Sequence, residues 1–209
     1  MGELTASEIL ERCGVWLARI GRGNGYGIQS PSAFAFVHDV VCHVGKHEAY
    51  SRLHALRREH TASGPPERDD RLLFRLARYH NPKTALLFGQ SIALTGKYME
   101  AGCKNGDFYY LSEGSIEEVQ NIAGLLAPID LLYVDDVPTW PAVWEAVMPY
   151  ASPNALFVIR GIHANRYSLS EWRQKTADKR VRTTYDLHFF GLASFEPRIT
   201  KENYVVQYV

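Results

Sequence analysis

The sequence predicts an α/β protein built on a doubly wound, mostly parallel sheet. From residue 83 onward, short apolar runs alternate with segments of helical periodicity, which is the pattern of successive βαβ units. The runs are apolar on both faces, as strands covered by helices on two sides must be. The chain ends differently, because its last two apolar runs are separated by a turn and no helix. This ending predicts a C-terminal antiparallel hairpin.

The alternation defines four parallel strands with right-handed crossovers. These strands are predicted at 84–88, 108–111, 131–134 and 155–159, and the helices after them at 92–101, 115–126, 140–150 and 168–177. The two final runs, 185–195 and 204–209, are expected to pair as one long hairpin. The result is six strands in the order 2-1-3-4-6-5, in which only the last strand runs antiparallel to the others.

Residues 1–66 are predicted to form an N-terminal helical region, and residues 67–209 the α/β domain. A first helix starts at the capping-box spacing of Thr5 and Glu8 and ends in the glycine-rich stretch 21–27. Ser30 and Pro31 are typical of a helix start. A third helix is predicted at 48–59 and a fourth at 68–79, and the Gly- and Pro-containing break at 62–66 separates them.

The composition excludes several classes of partner. Basic and acidic residues balance at 23 each, so no global field attracts nucleic acid or an anionic membrane. Cys13, Cys42 and Cys103 lack paired spacing, which argues against a disulfide framework or a zinc site and for a reducing compartment. No signal peptide and no apolar run of about 18 residues is present. We expect a soluble, cytoplasmic protein.

Four stretches of sequence, taken in order, carry a resemblance to a known family. They are GYGIQSPSAF (25–34), RLLFRLARYHNPKTALLFGQS (71–91), IDLLYVDD (129–136) and DLHFFGLASFEPRITKENYVVQYV (186–209). Together with the order of helices, parallel sheet and hairpin, they resemble class I S-adenosylmethionine-dependent methyltransferases, in particular small bacterial O-methyltransferase-like proteins. The resemblance implies a Rossmann-like methyltransferase fold with S-adenosylmethionine as cofactor.

The residues that match the family's cofactor motif depart from it. The family's first strand runs into an acid-x-Gly-x-Gly-x-Gly turn, where glycines let the backbone approach the cofactor. Here Gly89 is kept, but Leu87 replaces the acid, and Ser91 and Ala93 occupy the later glycine positions. Glu113 matches the acid that binds the ribose hydroxyls. The alternative is that Glu113 only caps the following helix.

The interval between two matched positions is also too short for the family's usual topology. Asp135 follows Glu113 by 22 residues, and this family places a helix, a strand and a helix there. A full βαβ unit takes about 30 residues, so the interval accommodates one helix and no strand. The sequence therefore predicts that one strand, which would help to form the adenine pocket, is missing.

Four polar residues are predicted at the carboxyl edge of the sheet, where open α/β folds bind ligands. They are Asp135, Asp136, Arg160 and His163. One interpretation is a small site in which Arg160 holds an anion and His163 acts as general base. The other is an Arg160–Asp135 ion pair that joins two loops in place of a lost metal site. No metal is expected, because arginine stands where the family's metal-binding acids would be.

Three functional hypotheses follow from the sequence. The first is a pseudoenzyme, a methyltransferase-like protein with a degenerate cofactor site that needs no cofactor and acts as a binding or interaction protein. The second is an active S-adenosylmethionine-dependent methyltransferase for a small molecule. The third is a pocket for another small anionic ligand. The N-terminal helices have two candidate roles, a lid over the pocket or the interface of a homodimer.

Overall fold

The computed structural model describes residues 28–59, 65–135 and 137–208, together with Gly14. The predicted first helix, the glycine-rich stretch 21–27, part of the break at 62–66 and Asp136 lie outside the described residues. None of the helices in the described ranges combines the length and the hydropathy that a membrane span requires.

Three helices precede the sheet in the described residues. They are α1 (Pro31–Phe36), which continues into a π-helical turn (Val37–Val41), α2 (Glu48–Glu59) and α3 (Glu67–His80). The predicted start of α1 is confirmed, because the Ser30 side chain caps the helix and proline occupies its first turn. The helix α3 ends at Asn81, which adopts a left-handed backbone conformation with φ of 48°.

The remaining elements alternate as the sequence predicts. They are β1 (Thr84–Phe88), α4 (Ile92–Gly102), β2 (Asp107–Leu111), α5 (Ile116–Leu126), β3 (Ile129–Val134), α6 (Trp140–Val147), β4 (Ala151–Arg160), α7 (Arg166–Ala177), β5 (Thr183–Asp186), β6 (Phe190–Ser194) and β7 (Glu202–Val205). All residues from 114 to 129 are described, and α5 is the one helix between β2 and β3. The prediction that this interval contains no strand is therefore confirmed.

The sheet has seven strands in the order β2-β1-β3-β4-β6-β5-β7, and β6 alone runs antiparallel to the rest. The predicted long strand at 185–195 is wrong, because the chain reverses at 187–189 to give β5 and β6. His188 has φ of 72°, and its backbone N–H donates to the Asp186 carboxylate over 2.8 Å. This local polar turn closes a hairpin within the apolar run.

The predicted pairing of the last two runs is wrong as well. The last strand, β7, does not insert next to β4. It pairs in parallel with β5 at the edge of the sheet, from Thr183 opposite Glu202 to Asp186 opposite Val205. The antiparallel strand beside β4 is β6. The predicted order 2-1-3-4-6-5 therefore matches the observed order of the first six strands, although the predicted fifth and sixth strands cover other residues than β5 and β6.

The sheet is covered on both faces, as a doubly wound fold requires. One apolar cluster joins α1, α3 and α4 to alternate strand residues such as Leu87, Tyr133 and Val158. The opposite cluster joins α5, α6 and α7 to the intervening strand residues. Because α1 belongs to the first cluster, this helix shares its core with the α/β domain.

Candidate functional site

The ends of β1, β3 and β4 meet at the carboxyl edge of the sheet. The last residue pairs of these three strands are in register, which brings Gly89, Asp135 and Arg160 next to one another. Gly89 has φ of 134°, and a Cβ atom there would lie 2.6 Å from the Cβ of Asp135. Glycine is therefore required at position 89 both by the backbone conformation and by the close approach of Asp135.

Asp135 is held by two donors. Arg160 donates from Nη1 to Oδ1 of Asp135 over 3.0 Å, and the buried hydroxyl of Tyr133 donates to the same oxygen over 3.2 Å. The side chain of Asp135 is 8% exposed and that of Arg160 is 25% exposed. The predicted ion pair is thus present. The guanidinium of Arg160, a fixed cation, neutralises the carboxylate.

The pKa values at this pair follow from burial and from the neighbouring oxygens. Burial opposes the charge of Arg160, but the oxygens of Tyr133 and Asp135 keep the pKa of its guanidinium above the ordinary value. Burial also raises the pKa of Tyr133 well above its ordinary value, so its hydroxyl stays a neutral donor. The charge of Asp69 further favours the cationic form of Arg160.

A second pair of acids lies at the N-terminus of α3, beside the carboxyl edge. Asp70 is fully buried and accepts from the Thr95 hydroxyl over 2.8 Å and from Nη1 of Arg57 over 2.5 Å. Asp69 is 1% exposed and accepts from the Tyr208 hydroxyl over 3.3 Å. Burial raises the pKa of Asp70 to about 6, although the Thr95 hydrogen bond and the Arg57 charge act in the opposite direction.

His163 is paired with a residue that the sequence analysis did not single out. Its Nε2 lies 2.8 Å from Oδ2 of Asp186, and its ring stacks on that of His188 with centroids 4.6 Å apart. Because a carboxylate only accepts hydrogen bonds, Nε2 carries the proton in the neutral ring and Nδ1 is the basic nitrogen. Of the four predicted edge residues, Arg160 and Asp135 form one pair and His163 forms a separate pair with Asp186. Asp136 lies outside the described residues.

The residues that match the cofactor motif extend from the end of β1 into the first turn of α4. Leu87 is fully buried in the apolar cluster that also contains Tyr133. Ser91 precedes the first residue of α4 and its side chain makes no capping hydrogen bond. Ala93 is exposed in the first turn of that helix. The position of the motif acid is therefore part of the hydrophobic core.

Glu113 is exposed just beyond the end of β2. The side-chain amide of Gln90 donates to its Oε1 over 3.4 Å. The capping alternative is not supported by the geometry, because the capping box of α5 is formed by Ser115 and Glu118. Glu113 is left facing solvent beside the turn that contains Gly89.

Sequence reasoning missed several residues of this edge. Tyr133 could have been found, because it precedes Asp135 by two positions and strand residues at i and i+2 share a face. The sequence gave a weaker indication of Asp186 and His188, because the two polar residues interrupt an apolar run as a D-x-H triplet. Acids in a first helical turn are ordinarily exposed and favoured by the helix dipole, so the burial of Asp70 has no sequence signature.

Two cavities lie on the helical side of the molecule. One of about 400 Å³ lies between the π-helical turn, the start of α2 and the C-terminal half of α3. The other, of about 360 Å³, lies between α2 and α4. No residue of the Arg160–Asp135 or His163–Asp186 pair lines either of them.

Comparison with solved structures identifies the fold. An O-methyltransferase from Bacillus cereus in complex with S-adenosylhomocysteine superposes with a TM-score of 0.53 at 13% identity, covering 78% of this chain and 97% of that one. TomG from Streptomyces achromogenes, an O-methyltransferase of tomaymycin synthesis in complex with S-adenosylmethionine, gives 0.53 at 16% identity, covering 76% and 94%. A methyltransferase from Geobacter sulfurreducens gives 0.51 at 15% identity, covering 79% and 96%.

No family model matches the sequence, and no curated protein matches it either. At these identities the structural likeness shows the fold, and the fold is that of class I methyltransferases. The activity has to be argued from the site itself.

The Arg160–Asp135 pair generates a prediction about stability. Arg160→Gln leaves the nearly buried Asp135 carboxylate without its charge partner and should lower the free energy of unfolding by about 2 kcal/mol. In a double-mutant cycle with Asp135→Asn, measured by urea denaturation, the coupling energy should exceed about 1 kcal/mol. The Arg198–Glu196 pair, whose arginine is exposed, is the control and should show a coupling energy clearly below that of the Arg160–Asp135 pair. Additive effects of the Arg160 and Asp135 substitutions would contradict the assignment.

The raised pKa of Asp70 generates a second prediction. Folded Asp70 holds its proton up to a pH of about 6, whereas an ordinary aspartate loses it near 3.8. Between these values the folded state binds more protons than the unfolded state, so this group's contribution to the free energy of unfolding falls as the pH rises. In thermal or urea denaturation, Asp70→Asn should gain about 2–3 kcal/mol relative to the wild type between pH 4 and pH 7. A constant difference over this range would show that the carboxyl is not destabilised by burial.

Proposed function

We propose that this protein is a pseudoenzyme with the methyltransferase fold, whose S-adenosylmethionine site has degenerated and which acts by binding a ligand or partner. The observation that carries the proposal is the Asp135 contact set. The carboxylate at the end of β3 is engaged by Arg160 and Tyr133, and Gly89 packs against its Cβ. Such a network favours rigidity, and the carboxylate of Asp135 and the guanidinium of Arg160 already have each other as partners.

The turn after β1 fits S-adenosylmethionine poorly. Leu87, at the position of the motif acid, is fully buried beside Tyr133 in the apolar cluster. A carboxylate in that environment would lose its hydration without gaining a polar partner. Ser91 and Ala93 add side-chain atoms at positions where the family resemblance calls for bare backbone.

The adenine side of the site is also incomplete. In the described residues no strand lies beyond β2, and its Tyr109 and Tyr110 are about 40% exposed. The family resemblance calls for a further strand there. Loss of this apolar wall and of the motif acid together would weaken S-adenosylmethionine binding by about 4 kcal/mol, which corresponds to roughly a thousandfold in affinity.

Two observations favour the alternative of an active methyltransferase for a small molecule. The Gly89 turn keeps the positive φ that a close backbone approach needs, and Glu113 faces solvent beside it with only a long contact to Gln90. The His163–Asp186 pair would then supply an oriented base with Nδ1 as proton acceptor. In either case Cys103 is a free thiol, which supports a reducing compartment such as the cytoplasm.

Titration calorimetry with S-adenosylmethionine separates the two functions. We expect no binding at millimolar concentration and no rise of the melting temperature, whereas a ligand at a hundred times its dissociation constant would add about 2.7 kcal/mol of stability and several degrees. Glu113→Ala should change neither measurement. Micromolar binding that Glu113→Ala abolishes would overturn the pseudoenzyme proposal and establish the enzyme.

A further inference from the structure

The outer side of β2 is an open strand edge in the described structure. β2 is the end strand of the sheet, and β1 is the one described strand that pairs with it. The backbone N–H of Asp107 donates to the residue before β1, and the carbonyl oxygen of Leu111 accepts from the turn after β1. Because the direction of these bonds alternates along a strand, the N–H and C=O groups of Phe108 and Tyr110 point outward. They are available to another strand.

β2 lacks the features that normally prevent edge strands from pairing. Such edges are usually protected by lysine, proline or a bulge. The sequence of β2 is DFYYL, so its one charged residue is Asp107 at the first position. Its ladder with β1 is regular over five consecutive residue pairs. Tyr109 and Tyr110 are 40% and 39% exposed. The edge is therefore regular, aromatic and accessible.

The ring of Tyr110 is already held in position. It packs on Gly96 of α4, where a Cβ atom would clash with the ring. Its hydroxyl donates to the carboxylate of Glu100, one turn further along the same helix. An aromatic side chain that is ordered before association loses less conformational freedom when a partner covers it. This part of the edge is thus preorganised for binding.

An antiparallel copy of β2 is complementary to β2 itself. If the two strands are centred on Tyr109, Phe108 of each copy lies opposite Tyr110 of the other. These are the residues whose N–H and C=O groups point outward, so each such pair exchanges both backbone hydrogen bonds. Tyr109 then faces Tyr109 of the partner copy as a non-hydrogen-bonded pair, in which side chains approach most closely. The central cross-strand pairs are all aromatic, and pairs of this kind stabilise sheets.

The charges beyond the two ends of β2 select the antiparallel arrangement. Lys104 lies before the strand and Glu113 after it, and both residues are exposed. Antiparallel pairing brings the start of one strand beside the end of the other, so Lys104 comes close to Glu113 of the partner copy at both ends. A parallel partner in register would place like charges together. Charge complementarity of this kind fixes the orientation of an interface.

We propose that a second copy of this chain pairs with β2, which joins two sheets into one continuous sheet across a two-fold axis at Tyr109. A two-fold axis requires a self-complementary surface, and the aromatic centre and the opposite charges at the ends of β2 provide one. The partner copy supplies the strand that the family resemblance calls for beyond β2. This interface uses neither the Arg160–Asp135 pair nor bound S-adenosylmethionine, so it stands or falls separately from the pseudoenzyme.

The test is sedimentation velocity of the full chain between about 1 and 200 μM, where we expect a concentration-dependent change from monomer to dimer. Tyr109→Lys places two like charges opposite each other at the axis and should weaken the dimer at least about tenfold. Val205→Lys is the matched control, because Val205 is 42% exposed on β7 at the opposite edge, and should leave the dimer unchanged. Circular dichroism checks that both variants are folded.

Charge reversal at the strand ends gives a second test, which does not depend on the Tyr109 variant. Lys104→Glu and Glu113→Lys should each weaken self-association, because each places like charges together at both ends of the paired strands. A mixture of the two variants restores opposite charges at both ends and should form a heterodimer more tightly than either variant forms a homodimer. The proposal is overturned if the chain stays monomeric throughout, if folded Tyr109→Lys dimerises like the wild type, or if mixing the charge variants does not strengthen association.

Discussion

The contact between Asp135 and its neighbours determines the character of the carboxyl edge. The register of β1, β3 and β4 places a glycine on one side of this aspartate and an arginine on the other. A nearly buried carboxylate needs a partner, since an unpaired charge in such a place is strongly destabilising. Arg160 supplies the charge and Tyr133 a hydrogen bond. These contacts join the three central strands at this edge.

The acids of α3 extend this network into the helical layer. Asp70 joins α2 through Arg57 and α4 through Thr95, while Asp69 joins the C-terminal segment through Tyr208. Burial of so many ionisable groups is costly, and the raised pKa of Asp70 reflects that cost. Structural ion pairs perturb pKa values as active sites do, so this feature alone does not indicate catalysis. The helical side of the molecule also contains the two cavities of about 400 and 360 Å³.

The sequence was sufficient for the elements whose patterns are long and periodic. β1 is predicted at its observed bounds, and the short interval before Asp135 correctly excludes an extra strand. The hairpin was mispredicted because Phe189 and Phe190 continue an apolar run across a turn that depends on one carboxylate, Asp186. The Arg160–Asp135 pair could be predicted from the sequence, because both residues lie at the ends of strands that meet at the same edge of the sheet. The pairing of His163 with Asp186 could not be predicted, because the sequence did not show that β5 ends at the same edge.

The proposed pseudoenzyme requires that the carboxyl edge is a structural network and no longer a cofactor site. Native mass spectrometry of the purified chain tests it most directly, because class I methyltransferase folds such as those of the Bacillus cereus and Streptomyces achromogenes proteins have been crystallised with S-adenosylhomocysteine or S-adenosylmethionine. The account predicts the mass of the polypeptide alone, both as isolated and after incubation with S-adenosylmethionine. A bound molecule of S-adenosylmethionine or S-adenosylhomocysteine that survives desalting would contradict it.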